Sequence, residues 1–305
     1  MTEINKNKSG KENPLQDFLD ELGNYLDIAE QFEPSLNDIP ELKNIDIFGK
    51  SIPLGEGPGG DHIIYVDFKK VFQIDDIIET AIKSGKTTLA EILETSKRKA
   101  GILLSDVSGH KMTDFMLNAP LHVAFLTAAT YEMSNQGEIT VNLFERLNNV
   151  FHKFLKDGKF LALLYGEISE DGKFRFIQAG QPDPAVFSYQ YDKIVDLSPG
   201  RFYRFEPFGI RQSRNTFGMI NKADSLGYKG EYNVNQIELL GSKDVVVLYT
   251  DGANEYVKHR LEQQLRELKK TADFSARDMY EEIRKDFLKF DKQIDDATFV
   301  IIKRK

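Results

Sequence analysis

The chain has 305 residues, 41% of them hydrophobic and 29% charged, which are the proportions of a soluble globular protein. It contains no cysteine, so a disulfide framework and thiolate zinc sites are excluded, and the composition fits a reducing, cytoplasmic setting. The net charge of −8 argues against a nucleic-acid backbone as the main partner, and no apolar run is long enough to span a bilayer.

Residues 1–13 are polar and read as a disordered tail without the apolar segment of a secretory signal. Over 14–32, Leu15, Phe18, Leu19, Leu22, Tyr25 and Leu26 recur at helical spacing. The prolines at 34 and 40 end this amphipathic helix. Residues 14–40 thus form a helix and linker ahead of a folded domain at 41–305. The helix is either packed on its own domain or a regulatory or dimerising element.

Strands are predicted over 45–53 and 62–68, with a glycine-rich turn over 55–60 between them. A short helix follows over 75–84. The apolar run at 100–104 is a buried strand that ends at Ser105-Asp106. Two helices cover 111–133, with a kink at Pro120, and 139–155. A meander of short strands then runs over 160–165, 174–179 and 185–189, with a hairpin signal at Asp171-Gly172. Residues 213–232 are polar and fit a flap or insertion. A core strand over 245–249, amphipathic helices over 255–270 and 275–290, and a last strand over 298–303 complete the chain. Helices alternating with strands, around a central meander, predict a sheet-rich core with helices packed outside.

Four short acidic patches recur along the chain: Gly59-Gly60-Asp61, Ser105-Asp106-Val107-Ser108-Gly109-His110, Leu248-Tyr249-Thr250-Asp251-Gly252 and Asp295-Asp296-Ala297-Thr298. An aspartate at a strand end has a fixed backbone and little rotamer freedom, and a neighbouring glycine lets an ion or phosphate approach the main chain. Carboxylate oxygens are the ligands that Mg²⁺ and Mn²⁺ prefer. Each patch also has an ordinary structural reading. Asp251-Gly252 fits a hairpin turn, Asp106 a helix cap, Asp295-Asp296 a solvated loop and Gly59-Gly60-Asp61 a turn. The ordered set of four favours convergence on a metal-dependent hydrolytic site.

The succession GGD, SDVSGH, AGQPDP, LYTDG and DDAT resembles the metal-dependent protein phosphatases of the 2C class, and most closely their bacterial SpoIIE-type branch. The likeness spans residues 25–305. It implies an α/β fold: an α-β-β-α sandwich of two mostly antiparallel sheets flanked by helices. It also implies two Mn²⁺ or Mg²⁺ ions and hydrolysis of phosphoserine or phosphothreonine on a regulatory protein, such as an anti-sigma-factor antagonist. By motif, Asp106 corresponds to the acid that bridges the two ions and the Val107 carbonyl to a backbone ligand. Asp251 and Asp295 correspond to ligands of the second ion, with Asp296 the alternative to Asp295. Asp61 corresponds to an acid near the first ion, acting through water. An activated water would then attack phosphorus in line without a phosphoenzyme, and either His110 or a water would protonate the leaving oxygen.

Three positions depart from the branch: Lys111 where glycine is common, Gln181 in place of histidine, and the longer HIIYVDF after GGD. They motivate an alternative, a phosphatase-like binding or regulatory module with weak catalysis. A nucleotide cyclase is disfavoured, because His62-Ile63 replaces the acidic-aromatic pair that follows GGD in such enzymes. A sensor or activator partner is expected, and a homodimer through the N-terminal helix.

Overall fold

The computed structural model describes residues 14–55, 57–109, 112–155, 158–197, 202–213, 228–229, 232–238, 241–271, 273–290 and 292–305. Two antiparallel sheets carry the fold. One has the strand order β1 (Ile45–Ile52), β12 (Ala297–Arg304), β11 (Val245–Tyr249), β6 (Ala185–Ser188) and β7 (Lys193–Ile194). The other has the order β10 (Asn235–Glu238), β5 (Lys173–Ala179), β4 (Leu161–Ser169), β3 (Lys99–Val107) and β2 (Asp61–Asp67). β12 and β3 are buried along most of their length, which is why they read as continuous apolar runs rather than as alternating ones.

Ile63, Ile102, Leu104, Leu164, Val246, Leu248 and Val300 fill the space between the sheets. Residues of opposite parity point outward. Ile64, Leu103, Leu163 and Tyr165 pack against α5 (Met112–Gln136) and α6 (Val141–Phe154) through Leu121, Phe125 and Phe144. On the other side Phe48, Val247, Phe299 and Ile301 pack against Tyr256, Leu265, Tyr280 and Ile283. This is the expected α-β-β-α sandwich.

Two helices were not foreseen in the segment after β2. α2 (Phe68–Val71) is a single turn capped by Asp67, and α4 (Thr87–Ser96) follows α3 (Ile74–Lys83). The helix placed over 255–270 starts earlier and is irregular. It opens as a 3₁₀ turn at Asp251–Ala253, passes through α7 (Asn254–Tyr256) and a π-helical segment at Val257–Leu261, and ends as α8 (Glu262–Thr271) before α9 (Ala276–Phe290). α5 continues through Pro120. Most of 213–232 lies outside the described residues, and its described edges, β8 (Gln212–Ser213) and β9 (Tyr228–Lys229), pair in parallel.

α1 (Pro14–Glu30) lies against its own domain. Ala29 is buried, and Phe32 just beyond the helix meets Phe115 and His122 of α5 edge-on, at centroid distances of 6.5 and 5.5 Å. Leu15, Leu19 and Ile28 remain exposed. Among the described residues no helix is long and apolar enough to cross a membrane.

Candidate active site

The sheet register brings the acids together. Asp61 opens β2 and Asp106 lies near the end of β3, and the two are direct cross-strand partners. β11 and β12 are antiparallel neighbours, so Asp251, after β11, and Asp295-Asp296, before β12, emerge at the same end of the other sheet. Asp61 joins the two sheets there. Its Oδ2 accepts the hydroxyls of Thr250 and Thr298, each at 2.7 Å. The Thr250 hydroxyl oxygen in turn accepts the Thr298 amide at 2.9 Å.

The adjacent acids Asp295 and Asp296 differ in kind. Asp296 is buried, and its two carboxylate oxygens accept the amides of Leu54 at 2.7 Å and Gly60 at 2.6 Å. It fastens the glycine-rich turn before β2 to the start of β12. No side chain fits at Gly59 or Gly252, because a Cβ at Gly59 would collide with the Asp296 carboxylate and one at Gly252 with the Asp296 carbonyl. Asp295 is half-buried, and its Oδ1 accepts only the next amide, at 2.9 Å, among the hydrogen bonds described.

The loop after Asp106 is also held. Val107 N–H donates to the Gly60 carbonyl at 3.2 Å. Buried Asn118 of α5 donates to the same carbonyl at 2.8 Å and accepts the Ser105 hydroxyl at 3.1 Å. Lys159 donates to the Ser108 carbonyl at 2.6 Å, and the Ser108 hydroxyl oxygen accepts the Phe160 amide at 3.0 Å.

Electrostatics sets these acids apart from surface carboxylates. Burial pushes the Asp61 carboxyl up to about 8 against the pull of its two threonine donors. Asp106 is pushed up to about 9, first by burial and then by the negative charges of Asp61, Asp251, Asp295 and Asp296. Asp251, at the solvent edge, is raised by partial desolvation and by Asp295. Like charges placed directly opposite each other across two strands are destabilising unless something offsets them.

His62 follows Asp61 but, by strand alternation, turns to the helical layer. Its Nε2 lies 2.9 Å from Nδ1 of His122, and burial lowers its pKa to about 3. Gln181, between β5 and β6, is buried and its amide nitrogen donates to the Ala162 carbonyl at 3.3 Å. His110 and Lys111 lie outside the described residues.

Among the described residues no group of three or more His, Asp or Glu is gathered into a ready metal cage. The donor chemistry of the cluster still fits a hard divalent cation. Its groups are oxygens, and the charges acting on Asp106 are all negative. The sequence indicated the acids but missed Thr250, Thr298 and Asn118. Thr250 and Thr298 stood inside the quoted motifs and carried no charge to single them out. Asn118 had no motif at all.

The family model of stage II sporulation protein E (SpoIIE) matches residues 96–305. The chain belongs to the SpoIIE family. Its first two strands, β1 and β2, lie ahead of the match but are integral to both sheets. Solved structures agree on the fold. The RsbU and RsbW domains of a Mycobacterium tuberculosis protein superpose with a TM-score of 0.59 at 17% identity, covering 88% of this chain and 62% of that one. The PP2C phosphatase domain of Bacillus subtilis SpoIIE, with a fragment of its regulatory domain, gives 0.55 at 14% identity, covering 86% and 64%. The SiaA PP2C domain of Pseudomonas aeruginosa gives 0.59 at 13% identity, covering 96% and 99%. The chain therefore spans less than two thirds of the first two structures and nearly all of the third. A comparison with curated proteins finds no match. This SpoIIE-family chain has the PP2C phosphatase fold, with its acids at one end of the sandwich.

Proposed function

We propose that the chain is a metal-dependent protein phosphatase that hydrolyses phosphoserine or phosphothreonine on a regulatory protein. The observation that carries this reading is the convergence of Asp61, Asp106, Asp251 and Asp295 at one end of a PP2C sandwich, with Asp61 and Asp106 raised first by burial and then by the charges of neighbouring aspartates. Asp106, Asp251, Asp295 and the Val107 carbonyl would hold two Mn²⁺ or Mg²⁺ ions. The chemistry such ions supply is activation of a water and neutralisation of charge on the phosphoryl oxygens.

The chain's own residues have separable duties in this reading. Asp61 adds negative charge behind Asp106 and is kept in place by Thr250 and Thr298. Asp296, with both oxygens on backbone amides, shapes the turn and leaves the ligand position to Asp295. His110 is the candidate proton donor to the leaving oxygen, with water as its competitor. The protein works in the cytoplasm, with a phosphorylated regulatory protein as substrate. α1 receives a sensor or activator partner, or pairs with a second copy. Its exposed Leu15, Leu19 and Ile28 support that role.

The test is hydrolysis of a phosphoserine protein and of p-nitrophenyl phosphate with and without Mn²⁺. Turnover is expected with the ion and is abolished by chelator. Asp106→Asn and Asp251→Asn each lower kcat/KM roughly 10²–10³-fold. Full activity in either variant would refute the assignment.

A further inference from the structure

Beside the acids lies a cavity of about 210 Å³, well above the roughly 10–15 Å³ that a single water needs. Asp251, Glu255, Lys292 and Asp295 are among its lining, and Tyr256, Phe287, Phe290 and Ile294 form its apolar walls. A pocket of aromatic and aliphatic walls with a few polar groups at one side is the usual form of a recognition site. Phe290 is 39% exposed and Ile294 79% exposed, so the apolar surface opens to solvent at the mouth.

The walls are rigid. Tyr256 meets Phe287 and Phe290 edge-on, both at 5.6 Å between centroids. Its hydroxyl donates to Asp286 at 3.1 Å, and Asp286 also accepts Arg260 at 2.8 Å. Gln293 donates to the Ile52 carbonyl at 2.7 Å and the Asp295 carbonyl at 2.9 Å, which fixes the loop bearing Ile294. The π-helical segment at Val257–Leu261 directly follows Tyr256, and such segments are frequent at functional sites. A preformed pocket loses little free energy in ordering when it is filled.

We infer that this cavity receives the apolar side chain flanking the phosphorylated serine or threonine of the protein substrate. The inference rests on the phosphatase reading above and concerns the selectivity of that same site. Continuity decides the occupant. The cavity shares Asp251 and Asp295 with the acidic cluster, so a chain whose phosphate lies at the cluster passes its neighbouring residue over the mouth. The walls decide the chemistry. Tyr256, Phe287, Phe290 and Ile294 give the cavity its apolar surface, while the charged residues that share the lining carry both signs (Asp251, Glu255 and Asp295 against Lys292). Selection therefore falls on an apolar side chain through contact area and not through net charge.

The experiment uses the full chain with Mn²⁺ and phosphoserine peptides that differ only at one flanking position, carrying Leu, Gly or Asp there. At one flanking position Leu is expected to raise kcat/KM about tenfold over Gly, and Asp, which gains nothing from apolar walls, is expected to show no such rise. Ile294→Ser, at a solvent-exposed position, should reduce the Leu advantage to about threefold or less, and Phe290→Ala should do the same. A flat preference in the wild type, or an advantage that survives both substitutions, overturns the subsite. The turnover of p-nitrophenyl phosphate separates the two readings. If it proceeds while the peptides are hydrolysed without preference or not at all, the subsite alone falls. If neither substrate class turns over, the phosphatase reading falls and the subsite with it.

Discussion

Asp61 is an acid that folding holds where it is costly to ionise. Its carboxyl and that of Asp106 keep a proton far above the value of 3.8 at which an unfolded chain releases it. Between about pH 4 and pH 8–9 the folded, metal-free protein therefore binds more protons than the unfolded one, and its stability falls as pH rises through that window. A melting series from pH 5 to pH 9.5 in chelator should show this decline and a levelling above it. Asp61→Asn removes the buried charge and should raise metal-free stability at pH 8 by roughly 2 kcal/mol while weakening metal binding. The neighbouring acids separate by a different measurement. Asp296→Ala strips the acceptor from the Leu54 and Gly60 amides and should cost roughly 2–4 kcal/mol in urea unfolding. Asp295→Ala should leave stability within about 1 kcal/mol and abolish metal binding by calorimetry. The sequence left Asp295 and Asp296 as alternatives, because adjacency says nothing about which carboxylate faces backbone amides. That difference exists only once residues 54–60 return to the start of β12 across more than two hundred positions of chain.

At the scale of elements, the buried central strands were the most legible, whereas the short strands β7 and β10 at the sheet edges were not foreseen. The runs that became β3, β11 and β12 are continuous and apolar because both faces are covered, and burial of that kind leaves a strong mark on composition. α4 was missed because its inward residues, Ala90 and Leu93, are few within ten positions and its sequence is rich in threonine. The helix after Asp251 was placed as regular because the 3₁₀ and π segments keep the same apolar spacing on average. α1 was read as either packed or free. Its described contacts put the end beyond Ala29 on α5, while the exposed leucines leave its outer face open. Phe32→Ala removes two edge-on ring contacts from a half-buried site, and chemical denaturation should show a loss of about 1–2 kcal/mol.

For the whole molecule, Asp61, Thr250 and Thr298 bond the two sheets to each other at the acid end, and Tyr65 on the Gly49 carbonyl bonds them again further along. A cation held there binds the folded chain only, so it should stabilise both sheets at once. Mn²⁺ at one hundred times its dissociation constant should add about 2.7 kcal/mol, read as a single cooperative transition shifted to higher temperature. A transition that splits in two on metal addition would place the ion on one sheet alone. The order of motifs along the chain showed that acids recur at strand ends. It did not show that two sheets share one of them, since hydroxyl-to-carboxylate bridges between layers carry no sequence signature.

β3 is paired over its full length with β4 on one side and from Ala100 to Asp106 with β2 on the other, and Asp106 sits on it opposite both Asp61 and Ala162. Backbone amides in such a strand open to solvent only when the sheet itself comes apart, so deuterium uptake there should be the slowest in the protein. Asp251 and Asp295 instead stand on the turns that leave β11 and enter β12. Slow exchange along β3 beside faster exchange in the turns bearing Asp251 and Asp295 would mark Asp106 as the anchored member of the cluster.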